Sequence, residues 1–496
     1  MAWHPDVSIA GRICASAPRS PDKPALVAAE GRVSYGSLRA AARCIAADLQ
    51  PGTRVALLLP SGVPLVEAFL GAVMAGTAAA VLDPRWTDDE LAAAIADVEP
   101  AVVITDAVQR SRLKGADVAK ALLVAASGSG IPPVDTGFEP PHVASEAPFY
   151  IGFTSGTSGT PKGYLRSHRS WLASLDAAAC EFPVAVDDRV LIPGSLTQSM
   201  FLYGLVETLS AGATACLLAR FDAGEALAVV ERERVTRLHA VPTMLARLAD
   251  AAEGRDGAVS GVRTVLSAGE KLPSDLRDRT QRLFPSAAIF EYYGASELSF
   301  VSVAPTAEGW PAESVGRPFH GVTVEIRDDA GRPLPTGVIG RLWVRSGMLC
   351  SGYLRDDGDQ GFRVVDGWAT VGDFACLDRA GAVYLAGRDG GMVVIGGRNV
   401  YPSEVEAVLR ALPEVAEAVV LGLPDPVRGH DLCAVLRWRN GATLSAAELA
   451  AHCRRRLSGH KCPRRWFAVP QFPVSSHGKI ALDRLRDALP QLATIA

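Results

Sequence analysis

Phe153-Thr154-Ser155-Gly156-Thr157-Ser158-Gly159-Thr160-Pro161-Lys162-Gly163 follows the apolar run Phe149, Tyr150, Ile151 and precedes an expected helix. Glycines let backbone N–H groups approach an anion closely, hydroxyls donate to phosphate oxygens, and Lys162 adds one mobile positive charge. A triphosphate suits such a cradle. The pattern is not that of the usual phosphate loop, which needs Gly-Lys-Ser/Thr, because Pro161 precedes the lysine and Gly163 follows it. Taken alone, the same composition also fits a mobile linker.

The surrounding chain is that of an ordinary globular enzyme. Its 496 residues leave room for two or three domains, and 48% hydrophobic with 21% charged residues is typical of soluble folds. A net charge of −4 gives no electrostatic reason to bind nucleic acid or an anionic membrane. Nine scattered cysteines, none spaced Cys-x-x-Cys, argue against a disulfide framework or zinc site and for a reducing cytoplasmic setting. The N-terminus lacks the basic and apolar regions of a signal peptide. The best membrane candidate, residues 68–82, is too short to span and carries Gly71 and Gly76.

Hydrophobic patterning predicts an α/β fold. Strands at 55–59, 79–82 and 101–105 alternate with helices at 63–75 and 91–98, the second opened by the capping box Thr87-Asp88-Asp89-Glu90. Beyond the glycine-rich stretch the alternation resumes, with strands at 190–192, 214–218, 238–241 and 262–266 around helices at 201–210, 227–233 and 243–251. After Gly316 short alternating strands indicate a small β subdomain. From residue 392 a small α+β domain is expected, with a helix at 403–412, strands at 415–421 and 432–438, and a cap at Ser445-x-x-Glu448. The expected organisation is a large N-terminal domain (1–387) of mostly parallel sheets flanked by helices, a hinge (388–391) and a mobile C-terminal domain (392–496).

Polar clusters punctuate this framework. Ser267-Ala268-Gly269-Glu270 ends a strand with small residues that leave space for a flat ligand at the sheet edge. Glu291-Tyr292-Tyr293-Gly294-Ala295-Ser296-Glu297 sets a tyrosine beside a glycine, where it can lie against a purine, and ends in hard oxygen donors suited to Mg²⁺. Asp373 at a strand end can accept ribose hydroxyls, and Arg388 can reach a phosphate. Lys479, one of only seven lysines, follows Gly478 near the C-terminus. Each cluster alone also reads as a turn, a surface ion pair or a solvated tail.

In this order the chain resembles the adenylate-forming superfamily of acyl- and aryl-CoA synthetases, peptide-synthetase adenylation domains and luciferases. The family's glycine-rich loop matches Phe153–Gly163, and its Tyr-Gly-x-Ser/Thr-Glu matches Tyr293–Glu297. Its Gly-Asp and Gly-Arg pairs match Gly372-Asp373 and Gly387-Arg388. Two further motifs match Gly396–Glu406 and Gly478–Ile480, so the likeness runs from Pro21 almost to the end. It implies that ATP with Mg²⁺ and a carboxylic acid give an acyl-adenylate and pyrophosphate, after which the acyl group passes to a thiol. Thr154, Ser155, Gly156, Thr157, Ser158, Gly159 and Lys162 would hold the β- and γ-phosphates. Ala268, Gly269 and Glu270 with Glu291, Tyr292, Tyr293 and Gly294 would frame the adenine. Ser296 would contact the α-phosphate, Glu297 would hold the metal, and Asp373 and Arg388 would bind the ribose. Lys479 would bridge carboxylate and α-phosphate as charge builds in the transition state. No general base is required, because the carboxylate is already ionised at neutral pH.

The chain departs from the family in two places. The hinge position, usually Asp or Lys, is Gly390, followed by Gly391; glycine cannot block rotation, so a looser hinge is expected between the two half-reactions. Pro193–Tyr203 lacks the histidine that gates the acid pocket in many acyl-CoA synthetases. Ser199 falls where amino-acid-activating domains place an aspartate, and an α-ammonium would be left unpaired there. An aromatic or medium-chain acid is expected, with Ser199, Met200, Phe201 and Tyr203 lining its pocket. Spacing does not place Cys180, His239 or Met244 relative to that pocket. Only 17 residues follow Lys479, so a free-standing ligase is expected, with coenzyme A as the leading acceptor. A phosphopantetheinyl carrier protein is second, an amine or phenol in natural-product biosynthesis third, and a non-enzymatic nucleotide sensor last.

Overall fold

The computed structural model describes residues 8–16, 21–113, 121–123, 137–155, 161–253, 259–355, 361–388, 393–395, 398–400, 402–425, 429–439, 441–457, 459–474 and 480–495. The chain forms two compact units, Met1–Val324 with Val344–Ala369, and Glu325–Trp343 with Thr370–Ala496.

The first unit holds two large sheets. In one, Pro24–Ala28, Thr214–Leu217, Arg189–Ile192, Arg237–Ala240, Thr264–Ser267 and Ala288–Ala295 run parallel in that spatial order, with antiparallel strands at both edges. In the other, Pro148–Ser155, Ala78–Val81, Arg54–Leu58, Val102–Thr105 and Ala121–Leu123 run parallel, and Pro161–Ser167 joins antiparallel at one end. These are the short apolar runs expected of strands buried on both faces. Between the sheets lies the helix Val63–Met74, buried at every residue but Pro64, as a helix apolar on every side except at Glu67 must be. The capping box at Thr87 is present, opening the helix Asp88–Val98. Residues 68–82 are the end of one helix, a turn and a strand, and no helix among the described residues is long and apolar enough to cross a membrane.

Alternation along the first sheet decides what faces what. Val190, Ile192, Leu266 and Phe290 pack into the core shared with the helices Tyr35–Ala46, Val63–Met74, His168–Glu181 and Ser199–Ser210. Leu191, Leu238, Val265 and Ile289 point the other way, under Ala223–Arg232 and Pro242–Ala252. Parallel strands end together, so the segments after Ser267 and around Glu291 share one edge.

In the second unit, Gly340 pairs with Ala375 and Asp373 with Arg388 in a small antiparallel sheet. A four-stranded sheet, Val415–Asp425, Gly429–Trp438, Arg465–Ala468 and Ala493–Thr494, carries the helices Pro402–Arg410 and Ala446–Arg454 over its apolar core. The Ser445 capping box is present. The nine cysteines are free thiols.

Candidate active site

The glycine-rich stretch bridges two antiparallel strands. Phe149, Tyr150 and Ile151 are wholly buried in the first, and Pro161 opens the second, where proline is tolerated. Thr154 faces Lys162 and Ser155 faces Pro161 across the ladder. The expected helix, His168–Glu181, follows further on, after the strand Pro161–Ser167. The cradle is therefore flanked by strand ends, with no helix N-terminus directly behind it. Gly156, Thr157, Ser158 and Gly159 lie outside the described residues.

The second strand turns Tyr164 and Arg166 inward. Arg166 is 2% exposed. Its Nε donates to Ser170 Oγ at 3.2 Å, and its guanidinium donates to the carbonyls of Ser296 at 3.1 Å and Met348 at 2.7 Å. Burial lowers its pKa, partly offset by Cys350 and the nearby tyrosines. One buried cation, solvated by neutral acceptors, therefore holds the segment that carries Ser296 and favours an anion close by. Ser296 Oγ lies 3.3 Å from Ser199 Oγ, at the first turn of the helix Ser199–Ser210. Burial raises the pKa of Tyr164, opposed by Tyr150 and by both serines. A residue expected at the α-phosphate and one expected in the acid pocket thus meet at the positive end of a helix.

Glu297 is 7% exposed, and Tyr353 Oη donates to its Oε1 at 2.8 Å. The Cys350 N–H donates to its carbonyl at 2.8 Å. Among the described residues no group of three or more His, Cys, Asp or Glu could hold a metal ion. A single buried carboxylate, next in sequence to Ser296, fits Mg²⁺, which retains waters and takes phosphate oxygens in place of an all-protein cage.

On the expected adenine side, Ala268 is buried while Gly269 and Glu270 are exposed, with Gly269 at φ +94°. Most of the Glu291 cluster lies in the strand Ala288–Ala295, which pairs with Ser299–Pro305. Glu291 is buried and fully engaged: Lys271 Nζ donates to it at 2.7 Å, Arg277 at 3.1 Å and the Leu272 N–H at 3.0 Å. Its carboxylate clamps the segment after Gly269 onto the strand edge. Burial lowers the Lys271 pKa, opposed by Glu291. Tyr292 packs at 5.0 Å from the Phe300 ring, and Tyr293 is half-buried. Gly294 sits at a bulge, where a Cβ would fall 2.1 Å from the Ser299 carbonyl oxygen.

The helix Ser199–Ser210 sorts the expected pocket residues. Ser199 and Met200 are half-buried. Phe201 is wholly buried, its ring 1.9 Å from where a Cβ on Gly194 would stand, so it plugs the core. Tyr203 packs edge-on to Trp171 and Phe300. The turn ahead of the helix is tied down: Thr197 donates to Asp83 Oδ2 at 3.3 Å, and Arg85 grips the same carboxylate at 2.6 Å. Burial would raise the Asp83 pKa, yet bonds from Arg85 and Thr197 hold it below the ordinary carboxylate value. His239 is buried under this helix, and Met244 is half-buried against the same core. Cys180 is exposed.

In the second unit Asp373 is 7% exposed, and the ladder places Arg388 opposite it. Lys479 and Gly390 lie outside the described residues, as do the side chains of Ser155 and Arg388. Tyr164, Arg166 and Tyr353 escaped the sequence reading. For Arg166 a signal existed, a charge at an inward position of an apolar strand; Tyr353 had none.

Residues 14–354 match the family model for the AMP-binding enzyme, and residues 404–479 that for the AMP-binding enzyme C-terminal domain. The chain is 37% identical over 443 residues to an uncharacterized acyl–CoA ligase, YhfT, of Bacillus subtilis, covering 88% of each chain. It is 32% identical to a feruloyl-CoA synthase of an Amycolatopsis species, over 89% of this chain and 90% of that one. The amide bond synthetase McbA of Marinactinospora thermotolerans superposes with a TM-score of 0.87 at 28% identity, covering 97% of this chain and 99% of that one.

Proposed function

The chain belongs to the AMP-binding enzyme family, and from that premise we propose that it activates an aromatic or medium-chain carboxylic acid as its adenylate and passes the acyl group to coenzyme A. It is an AMP-forming acid–thiol ligase that uses ATP, Mg²⁺ and coenzyme A. The acid and the individual residue roles are our own reading.

A carboxylate oxygen of the acid attacks the α-phosphorus, the bond to the β-phosphate oxygen breaks, and pyrophosphate leaves. The thiol sulfur then attacks the acyl carbon, AMP departs with the electron pair, and the thiol proton is lost to solvent. The observation that carries this reading is the approach of Ser199 and Ser296 to 3.3 Å, beside the buried Arg166 and at a helix N-terminus. A carboxylate and a phosphate could be brought together there. Thr154 and Lys162 flank the loop assigned to the β- and γ-phosphates, and Glu297, steadied by Tyr353, would hold Mg²⁺. Bound there, the ion would neutralise charge on the phosphate oxygens. Ala268–Glu270 and Glu291–Gly294 frame the adenine, with Glu291 acting through Lys271 and Leu272. Asp373 and Arg388 take the ribose, and Lys479 supplies the positive charge at the reacting centre.

An acid panel scored by pyrophosphate release tests the first half-reaction; silence with every acid would sink the reading. Mass spectrometry of products formed with coenzyme A, a pantetheinylated carrier or an amine tests the second. The likeness to an amide bond synthetase favours amine acylation as the second reading. Exclusive amide formation in that assay would establish it in place of thioester formation.

A further inference from the structure

Beneath the helix Ser199–Ser210 lies a charged cluster that neither the phosphate chemistry nor the core packing uses. Glu207 on the helix and Arg237 and His239 on the strand Arg237–Ala240 are all buried, the last two at 1% and 2% exposure. Arg237 lies 3.5 Å from Glu207 Oε2, donates to the Pro183 carbonyl at 3.3 Å and stacks 5.3 Å above the Phe182 ring. His239 Nε2 is 3.5 Å from the same Glu207 oxygen, a charge-pair distance without hydrogen-bond alignment. Gly204 lets the helix settle on that ring: a Cβ there would stand 3.1 Å from His239 Nδ1. Tyr203 Oη, Arg237 Nε and His239 Nδ1 are buried polar atoms with no hydrogen-bond partner. Buried polar groups are nearly always paired, so several orphans on one wall call for a guest.

The placement says what kind. Ser199, Tyr203 and Glu207 stand four residues apart on one helix face. From Ser199 at the reacting end, Tyr203 lies about 6 Å and Glu207 about 12 Å along the axis. That interval brackets the reach of an aromatic acid from its carboxylate to its ring substituent. Trp171, Phe300 and Tyr292 supply aromatic edges along it. Burial lowers the His239 pKa, opposed by Glu207, and Glu207 and Arg237 stand 3.5 Å apart with opposite charges, so neither is left over to pair a second ionised group. A saturated chain would leave the orphan atoms unpaired; a hydroxyl would satisfy them.

Resting on the ligase reading above, we propose that the acid is a hydroxyaryl carboxylic acid whose ring hydroxyl is read by Tyr203 and His239, with Glu207 and Arg237 as positioning residues. The test is kcat/KM for pyrophosphate release with 4-hydroxycinnamic against cinnamic acid, 4-hydroxybenzoic against benzoic acid, and octanoic acid. The wild type is expected to favour the hydroxylated member of at least one pair by about tenfold or more, the discrimination open to a site that hydrogen-bonds a substrate hydroxyl. Tyr203→Phe and His239→Leu should each erase most of that preference, with kcat/KM falling about tenfold more on the hydroxylated member of the pair than on the unsubstituted one. A structural role would lower activity on both acids alike. Tyr203→Phe removes only one oxygen, so it keeps the test alive if His239→Leu fails to fold. Equal or better use of octanoic or unsubstituted acids by the wild type overturns the proposal, and so does a preference unchanged in Tyr203→Phe. Release with no acid at all sinks the ligase reading and this inference with it.

Discussion

Lysine contributes to adenylation only where negative charge grows between ground and transition state. Lys479 is assigned to the carboxylate–phosphate junction, where charge builds; Lys162 is assigned to pyrophosphate, which is already charged when it binds. Lys479→Ala should lower pyrophosphate exchange about 100- to 1000-fold, the usual loss of one transition-state donor. Thioester formation from supplied acyl-adenylate should survive, and Lys162→Ala should cost less in exchange. Equal loss of both half-reactions in Lys479→Ala would mark that lysine as structural. Tyr353→Phe leaves Glu297 Oε1 without the 2.8 Å donor seen here, so the Mg²⁺ concentration for half-maximal activity should rise several-fold with little change in Tm. These two residues mark what was legible. Glu297 could be named because it stands in a run of adjacent polar residues. Tyr353 is 56 positions away and becomes its partner only when the chain folds back.

At the scale of single elements, local codes were readable and pairing was not. Thr87-x-x-Glu90 and Ser445-x-x-Glu448 announce helix starts through two short-range hydrogen bonds each, and both boxes are present. The strand Pro161–Ser167 is different: Pro161 and Gly163 count against it locally, and it exists because Pro148–Ser155 offers a full ladder beside it. The same holds for Glu291–Ala295, read as a turn and held extended by Ser299–Pro305. That hairpin explains the glycine in the Tyr-Gly pair. Gly294→Ala should destabilise by about 1–3 kcal/mol, as overpacking usually does, because the new methyl would stand 2.1 Å from a backbone oxygen. Chemical denaturation would read that loss; an unchanged midpoint would mean the bulge relaxes freely. At the hinge, Gly390→Pro restricts a position where we expect rotation between half-reactions. It should slow thioester formation relative to adenylation, and unchanged rates in both would end the idea of a looser glycine hinge.

Across the molecule, buried histidine makes stability depend on pH. His168 packs 4.9 Å from the Phe149 ring, accepts the Ile9 N–H at 3.2 Å, and burial pushes its pKa from 6.5 down to about 4. The unfolded chain therefore binds a proton that the folded one refuses, so this stability is complete above pH 6.5 and is lost as pH falls towards 4. The full gap corresponds to about 3 kcal/mol. The buried Glu67 carboxyl, pushed from 4.5 up to about 7, acts with the opposite sign, so the test is a difference: in urea titrations from pH 7 to 5 the wild-type midpoint should fall relative to that of His168→Leu, even though the variant loses the Ile9 contact. The α/β class and the two-sheet layout follow from alternation that the sequence displays openly, whereas spatial strand order does not, because partners are chosen by tertiary packing. The pairing of Pro24–Ala28 with Thr214–Leu217 is the extreme case. It has a consequence for how the chain is made. During synthesis the hairpin formed by Pro24–Ala28 and Gly31–Ser34 leaves the ribosome long before its parallel neighbour exists. One apolar edge must wait, open to wrong partners, until most of the first unit has been translated. Slowing elongation ahead of Thr214 should prolong that exposure and raise aggregation of the nascent chain, whereas a delay placed after Leu217 has emerged should be harmless.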